Sequence, residues 1–108
     1  MVCDARAFDR VFHDGRHAVK GELSLHYAAN GMGLSRFAFV IPAKAGKAHE
    51  RNELRRKMRE IAREAQPSVE PGYDFVFIVR KVADLGYMEL RGAMRWLMSG
   101  KGLLKVGE

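Results

Sequence analysis

The chain has 108 residues, a formal net charge of +6 and 47% hydrophobic residues, which together indicate one folded, basic domain over residues 1–108. No apolar run approaches the roughly 20 residues of a membrane helix and no signal peptide is recognisable, so we expect a cytoplasmic protein without a membrane partner. The single cysteine, Cys3, leaves no internal disulfide, and the potential ligands show no metal-site spacing.

The first predicted element is a short helix over residues 4–14. Asp4 can cap its start, and Gly15 can end it in the left-handed conformation. Phe8 and Phe12 are four residues apart and share a face of this helix, with Val11 beside Phe8. By spacing alone, such a pair is more typical of a hydrophobic core than of a binding surface.

Two strands follow, over residues 18–28 and 34–41. Gly21 predicts a kink or a split in the first of them. The turn signal Asn30–Gly33 lies between the two strands and predicts that they pair as a hairpin, and Pro42 then ends the ladder because it has no N–H to donate. The period-two alternation that indicates a half-buried strand is carried by Leu23, Leu25 and Tyr27.

The second half of the chain predicts a helix over residues 48–66, a strand over 73–80 and a last helix over 88–99. The strand is almost uniformly apolar, which is typical of a central strand covered on both faces. Gly100 is the expected C-cap of the last helix. The whole order predicts an α+β fold, a small two-layer sandwich of the form αβββαβα with a four-stranded sheet. The apolar stripes of the two helices are Leu54, Met58, Ile61 and Ala65, and Tyr87, Leu90, Met94 and Leu97.

Positive charge is concentrated in residues 44–63, which contain eight basic and three acidic residues, while the remainder is nearly neutral. On a helical wheel the apolar stripe has a basic face on one side, and Glu53, Glu60 and Glu64 form a third face. Arginine suits phosphate because its planar fork donates two parallel hydrogen bonds. A basic helix face can also be an ordinary solvated surface. The segregation of the basic residues from the acidic ones favours nucleic-acid binding, but it does not distinguish RNA from DNA. The basic face comprises Arg51, Asn52, Arg55, Arg56, Arg59 and Arg63.

The segment Gly46–Glu60, GKAHERNELRRKMRE, resembles the signature of the bacterial ribonuclease P protein family, in which Arg51-Asn52 is the most specific pair. The resemblance extends to the flanks. Phe8 to Phe12 is similar to the family's first helix, Gly72–Lys81 to its last strand, and Leu90 to Leu97 to its closing helix. The segment departs from the family pattern at Pro42, Ala43, His49 and Glu53.

The resemblance implies a protein cofactor that binds a catalytic RNA and the 5′ leader of precursor tRNA during 5′ maturation of tRNA. The RNA partner would hold magnesium and carry the chemistry, and the protein would have no catalytic residue and no metal site of its own. It also implies a left-handed crossover through the arginine-rich helix, whereas about 98% of parallel strand connections are right-handed.

The family's binding positions fall on two groups of residues. The RNA-binding group is Lys44, Lys47, Arg51, Asn52, Arg55, Arg56, Arg59 and Arg63. The cleft for the single-stranded leader is implied at Phe8, Phe12, His26, Arg80 and Lys81, with Lys44 near it. Unpaired bases stack on aromatic rings with little regard to sequence, which agrees with such a cleft.

Three other functions are weighed against this one. A structural RNA-binding protein of the ribosome or translation machinery would share the basic helix, but not the Arg-Asn signature. A free-standing hydrolase needs clustered carboxylates or a histidine-based site, and Glu53, Glu60 and Glu64 cluster only as a solvated helix face. A sequence-specific DNA binder would be expected to show a second recognition unit.

Overall fold

The computed structural model describes residues 9, 11–13, 15–82 and 86–99, and it has the predicted α+β architecture. Asp9 and residues 11–13 are helical, while Asp4, Phe8 and Gly100 lie outside the described residues. Short 3-10 turns at Ala43–Ala45 and Gln66–Ser68 flank the long helix. The strands are β1 (Arg16–Lys20), β2 (Leu23–Ala29), β3 (Arg36–Val40) and β4 (Tyr73–Val79), and the helices are α1 (Ala48–Ala65) and α2 (Tyr87–Ser99).

The four strands form one mixed sheet in the order β1-β2-β4-β3. The central position of β4 was predicted correctly: it is antiparallel to β2 and parallel to β3. The predicted hairpin between residues 18–28 and 34–41 is wrong, because β4 lies between those two strands. The hairpin is instead formed by β1 and β2, which turn at Gly21 with φ of +60°. Gly21 therefore splits the first predicted strand in two.

The loop between β2 and β3 passes over the beginning of β4. The amide of Asn30 donates to the carbonyl of Gly72 at 2.8 Å, and the side-chain oxygen of Asn30 accepts from the amide of Met32 at 2.7 Å. The turn predicted at Asn30-Gly31 is therefore present. The loop crosses two strand spacings, or about 10 Å, and does not form a tight hairpin. Turn residues specify that the chain changes direction, but they do not determine which strand pairs with the one before the turn.

A bidentate ion pair fixes β3 against β4. The Nε and Nη2 atoms of Arg36 donate to the two carboxylate oxygens of Asp74, each at 2.8 Å. Asp74 is fully buried, and the side-chain nitrogen of Asn30 donates to it at 3.0 Å. Because Arg36 and Asp74 are register partners, the pair stabilises the parallel alignment of the two strands.

The two faces of the sheet are covered differently. α1 and α2 pack on one face, where their predicted stripes meet Leu25, Phe75 and Phe77 in the main core. On the opposite face Val11 packs against Ala38 and Val76 in a smaller cluster. The chain then leaves its helical residues at Gly15, whose amide donates to the Val11 carbonyl at 3.0 Å. Gly15 has no room for a Cβ beside the backbone oxygens of Val11 and Tyr27.

The parallel strands β3 and β4 are joined through α1, as the αβββαβα order requires. The left-handedness of this crossover stays a prediction.

Candidate nucleic-acid interface

The Arg-Asn segment begins at a tightly packed helix start. The Glu50 side chain accepts a hydrogen bond from the amide of Lys47 at 2.9 Å, which satisfies one of the donors that the first turn leaves unpaired. A Cβ on Gly46 would lie 3.0 Å from the Cβ of Val82, so glycine allows the chain after β4 to pack against the start of α1. This packing fixes the direction in which α1 leaves the sheet.

Arg51 and Asn52 each support the geometry of the helix. The Nε of Arg51 donates to the carbonyl of Gly46 at 3.1 Å, and the side-chain oxygen of Asn52 accepts from Arg55 at 3.3 Å. Arg51 is half-buried, whereas Asn52 is exposed. The motif therefore orients two guanidinium groups while leaving further donors on each.

Arg59 and Arg63 continue the basic face one and two turns beyond Arg55. Both are exposed, and neither forms a hydrogen bond or ion pair with a residue that the structure describes. Their full set of N–H donors is available to a polyanion, because no carboxylate in this part of the chain neutralises them.

A groove of about 730 Å³ runs between this basic face and β3. β3 is an edge strand, so the groove lies along the open edge of the sheet. Its walls combine guanidinium groups on one side with the strand on the other, which suits an extended phosphate backbone. The residues that line it are Phe37, Ala38, Phe39, Arg55, Arg56, Arg59, Glu60, Ala62, Arg63 and Gln66.

Arg56 lies at the border between the basic and acidic faces and is held by both. Its Nη2 is 2.6 Å from Glu53 and its Nη1 is 3.1 Å from Glu60. The hydrogen bond and charge of Glu53 raise the pKa of Arg56, and those of Arg56 lower the pKa of Glu53. Because its charge is already balanced, Arg56 differs from the other groove arginines, a distinction that the helical wheel missed.

An aromatic cluster lies on the sheet face opposite the helices. Phe12 is 47% exposed and meets the ring of His26 edge-on, with ring centroids 4.9 Å apart. His26 also stacks on His17 at 5.3 Å, its cross-strand neighbour. Burial, followed by the charge of His17, lowers the pKa of His26. The lowered pKa favours the neutral imidazole of His26 beside the Phe12 ring. His17 was missed because its partner across the hairpin could not be known from the sequence.

The remaining predicted basic residues gather where β3 and β4 end. The amide of Val82 donates to the carbonyl of Ala45 at 2.9 Å, which brings the segment of Arg80 and Lys81 beside the 3-10 turn of Lys44. All three are exposed. Arg80 also approaches Glu22 at 3.9 Å, a long and exposed contact that stabilises little.

The groove and the helical residue next to Phe12 contact opposite faces of β3. Ala38 lines the groove and also packs with Val11, the neighbour of Phe12, on the opposite face. The structure thus brings the basic helix and Val11 to the two faces of β3, whereas Phe12 lies beside His26 of β2. Arg80 and Lys81 follow the end of β4, the parallel neighbour of β3. Gln66 and the edge position of β3 were missed, since only the strand order shows them.

The described residues contain no cluster of three or more His, Cys, Asp or Glu residues that could hold a metal ion. Within the same residues, no helix combines the length and apolarity of a membrane span.

An arginine-lined groove on one side of the sheet and an exposed aromatic ring on the other are typical of a nucleic-acid-binding domain. Comparison with known proteins identifies the family to which this domain belongs. The model of the family described as Ribonuclease P matches residues 2–101. The ribonuclease P protein component of Roseiflexus sp. (strain RS-1) is 36% identical over 103 residues, covering 94% of this chain and 84% of that protein. The chain therefore belongs to the ribonuclease P family, as its Arg-Asn motif predicted.

Solved structures agree with this assignment. The ribonuclease P protein from Thermotoga maritima has a TM-score of 0.81 and 28% identity, covering 92% of this chain and 96% of that one. The Staphylococcus aureus protein has a TM-score of 0.86 at 17% identity, with 96% of both chains covered, and shows the fold alone. The prediction of a ribonuclease P protein cofactor is confirmed at the level of the family, and none of these comparisons favours the ribosomal alternative.

Proposed function

We propose that this chain is the protein subunit of a ribonuclease P ribonucleoprotein and binds the catalytic RNA through the groove between α1 and β3. The observation that carries the proposal is the convergence of Arg55, Arg59 and Arg63 on one groove at an open sheet edge. Each guanidinium can donate two parallel hydrogen bonds to a phosphate, and their spacing along α1 follows a strand of successive phosphates. Lys44, Lys47, Arg51 and Asn52 extend this surface beyond the groove, toward the start of the helix.

The substrate is a precursor tRNA, whose single-stranded 5′ leader lies on the aromatic cluster. The exposed ring of Phe12 supplies a stacking surface, and the lowered pKa of His26 keeps its imidazole neutral at physiological pH. Arg80 and Lys81 are candidates for phosphates farther along the leader. Phe8 belongs to the same proposal through the family resemblance, since it lies outside the described residues.

The chemistry belongs to the RNA partner in this proposal. The RNA would hold magnesium ions that activate water for attack on the phosphodiester. The described residues offer no fitting metal ligands, so we derive no step from a metal bound to the protein. What these residues do is position RNA: the arginines neutralise phosphates, and the rings hold unpaired bases.

The direct test is to isolate the tagged chain from its host and sequence the RNA that accompanies it. The proposal predicts enrichment of ribonuclease P RNA and of tRNAs with unprocessed leaders. An Arg55→Ala/Arg59→Ala variant should lose the enrichment, whereas Lys57→Ala should keep it, since Lys57 lies on the same helix but does not line the groove. Enrichment of ribosomal RNA alone would contradict the proposal and favour the structural RNA-binding alternative.

A further inference from the structure

Trp96, the only tryptophan of the chain, lies on the surface of α2 and is 54% exposed. Burial of a large apolar side chain contributes about 1.5–3 kcal/mol, and aromatic residues are enriched at interfaces, so an exposed indole is a candidate contact surface. Its neighbours one helical turn earlier, Gly92 and Ala93, are small and cannot shield the ring.

A cation already lies over this ring. The Nζ of Lys20 is 4.8 Å from the centroid of the Trp96 ring, within the range of a cation–π interaction. Lys20 ends β1, and Arg16 at the other end of the strand lies on the same face at about 13 Å by strand rise. Both basic residues are exposed. The indole is thus in contact with one cation of an edge strand, and a second cation lies farther along the same strand.

This patch is separate from the groove. β1 and β3 are the two opposite edges of the sheet, three strand spacings or about 14 Å apart. The nearest helical carboxylate on the same side of α2, Glu89, lies two turns earlier and packs against Gly86 at the helix start. Glu22, two residues after Lys20, approaches Arg80 at 3.9 Å, and neither Lys20 nor Arg16 forms an ion pair with a described residue. The two basic residues of β1 therefore keep their charge.

We propose that Trp96, Lys20 and Arg16 form a second RNA-contacting site, which takes an unpaired nucleotide. The base stacks on the indole, and Lys20 moves from the ring to the adjoining phosphate, while Arg16 takes a phosphate farther along the strand. An exposed ring in contact with a cation suits a nucleotide, which offers an aromatic base and an anion together. A second protein copy would be expected to need a larger apolar surface around the indole.

Because the chain has a single tryptophan, its fluorescence reports on this site alone. The full chain is titrated with a single-stranded uridine octamer and with an octamer of the same sugar-phosphate backbone without bases. We expect saturable quenching by the uridine octamer, at least threefold weaker affinity for Lys20→Ala, and little quenching by the base-free backbone. Absence of quenching, or quenching unaffected by Lys20→Ala, overturns the proposal.

Binding of labelled octamer, followed by anisotropy in a Phe12→Ala/Arg55→Ala/Arg59→Ala background that lacks the leader and groove contacts, tests the ring itself. Trp96→Ala should weaken binding by about fivefold or more, since fivefold corresponds to the lower end of the stacking energy of one base. Trp96→Phe should restore most of the lost affinity. Met88→Ala, which removes another exposed apolar side chain of α2, is the matched control and should leave affinity unchanged. Circular dichroism confirms that each variant is folded.

Two controls separate this proposal from others. Arg55→Ala/Arg59→Ala should leave tryptophan quenching by the octamer in place even if it abolishes binding of ribonuclease P RNA, so the two sites can fail independently. A change in emission with protein concentration in the absence of RNA would assign the patch to a second copy of the chain and overturn the nucleotide site.

Discussion

The ring of Phe12 lies edge-on to that of His26, with their centroids 4.9 Å apart and their planes at 63°. The adjacent residue Val11 is only 1% exposed, whereas Phe12 is 47% exposed. One turn of helix thus places Val11 in the small core and Phe12 on the surface beside it. This division separates the residue that holds the helix on the sheet from the one that can stack a base.

Phe12→Ala should therefore weaken binding of precursor tRNA by about 1–3 kcal/mol, with a smaller effect on mature tRNA, since only the precursor has a leader to stack. Its cost in folding stability should be modest. Val11→Ala is the matched control and should cost about 1.5–3 kcal/mol of stability while leaving the precursor-to-mature ratio unchanged. If Phe12→Ala were strongly destabilising and left the ratio of precursor to mature tRNA binding constant, Phe12 would be a core residue and not a stacking surface.

The lowered pKa of His26 predicts a dependence of stability on pH. In the unfolded chain the imidazole takes up a proton near pH 6.5, whereas in the folded protein it remains neutral to lower pH. The unfolded state then binds more protons, so the free energy of unfolding falls as the pH decreases through this window. His26→Phe should remove that contribution, as measured by urea denaturation at about pH 7.5 and about pH 5.5. The control is His49→Ala, which removes an exposed histidine of α1 and should leave the parent's dependence of stability on pH in place.

Removing Arg55 or Arg59 should change how RNA affinity depends on salt. Each phosphate contact contributes about 0.7–0.9 to the slope of log K on log salt, so Arg55→Ala and Arg59→Ala should each lower it by about one. Arg56→Ala should lower it less, because Glu53 and Glu60 already balance its charge. Lys57→Ala is the control on the same helix. If both the Arg55 and the Arg59 variants kept the parent's slope of log K on log salt, the basic face would be only a solvated surface.

The ion pair of Arg36 with Asp74 should be required for stability. Asp74→Ala leaves a largely buried guanidinium without its partner and should cost about 3–5 kcal/mol. Replacing both residues, as Arg36→Met/Asp74→Leu, should recover part of that loss, because no uncompensated charge remains. Denaturant unfolding of the single and double variants measures this. A loss below about 1 kcal/mol in Asp74→Ala would show that the pair contributes little.

The local patterns of this chain could be predicted from its sequence. The stripe from Leu54 to Ala65 is buried in α1, and the apolar run of β4 lies in the centre of the sheet. The Arg-Asn spacing also identified the family, since it combines helix geometry with a specific pair of side chains. Such patterns depend on neighbours in sequence, which a helical wheel or a strand alternation represents directly.

Long-range relationships could not be predicted in the same way. The pairing of β2 with β4, the stacking of His17 on His26 and the bond from Arg36 to Asp74 join residues that only the strand order brings together. Likewise, Phe12 and Val11 are both apolar, so their spacing could not show which of them the sheet would cover. The groove at β3 depends on that strand being an edge, a consequence of β4 lying between β2 and β3.

A cleavage assay decides whether this protein acts through an RNA partner. Precursor tRNA is incubated with the chain alone, with a bacterial ribonuclease P RNA alone, and with both together at low magnesium and near-physiological salt. We expect no cleavage by the protein alone, and cleavage at the mature 5′ end that increases when the protein joins the RNA. Arg55→Ala/Arg59→Ala should lose this increase, while Lys57→Ala should retain it. Efficient 5′ cleavage by RNA-free protein, or no effect of the protein on the RNA's activity, would show that the protein does not act through an RNA partner.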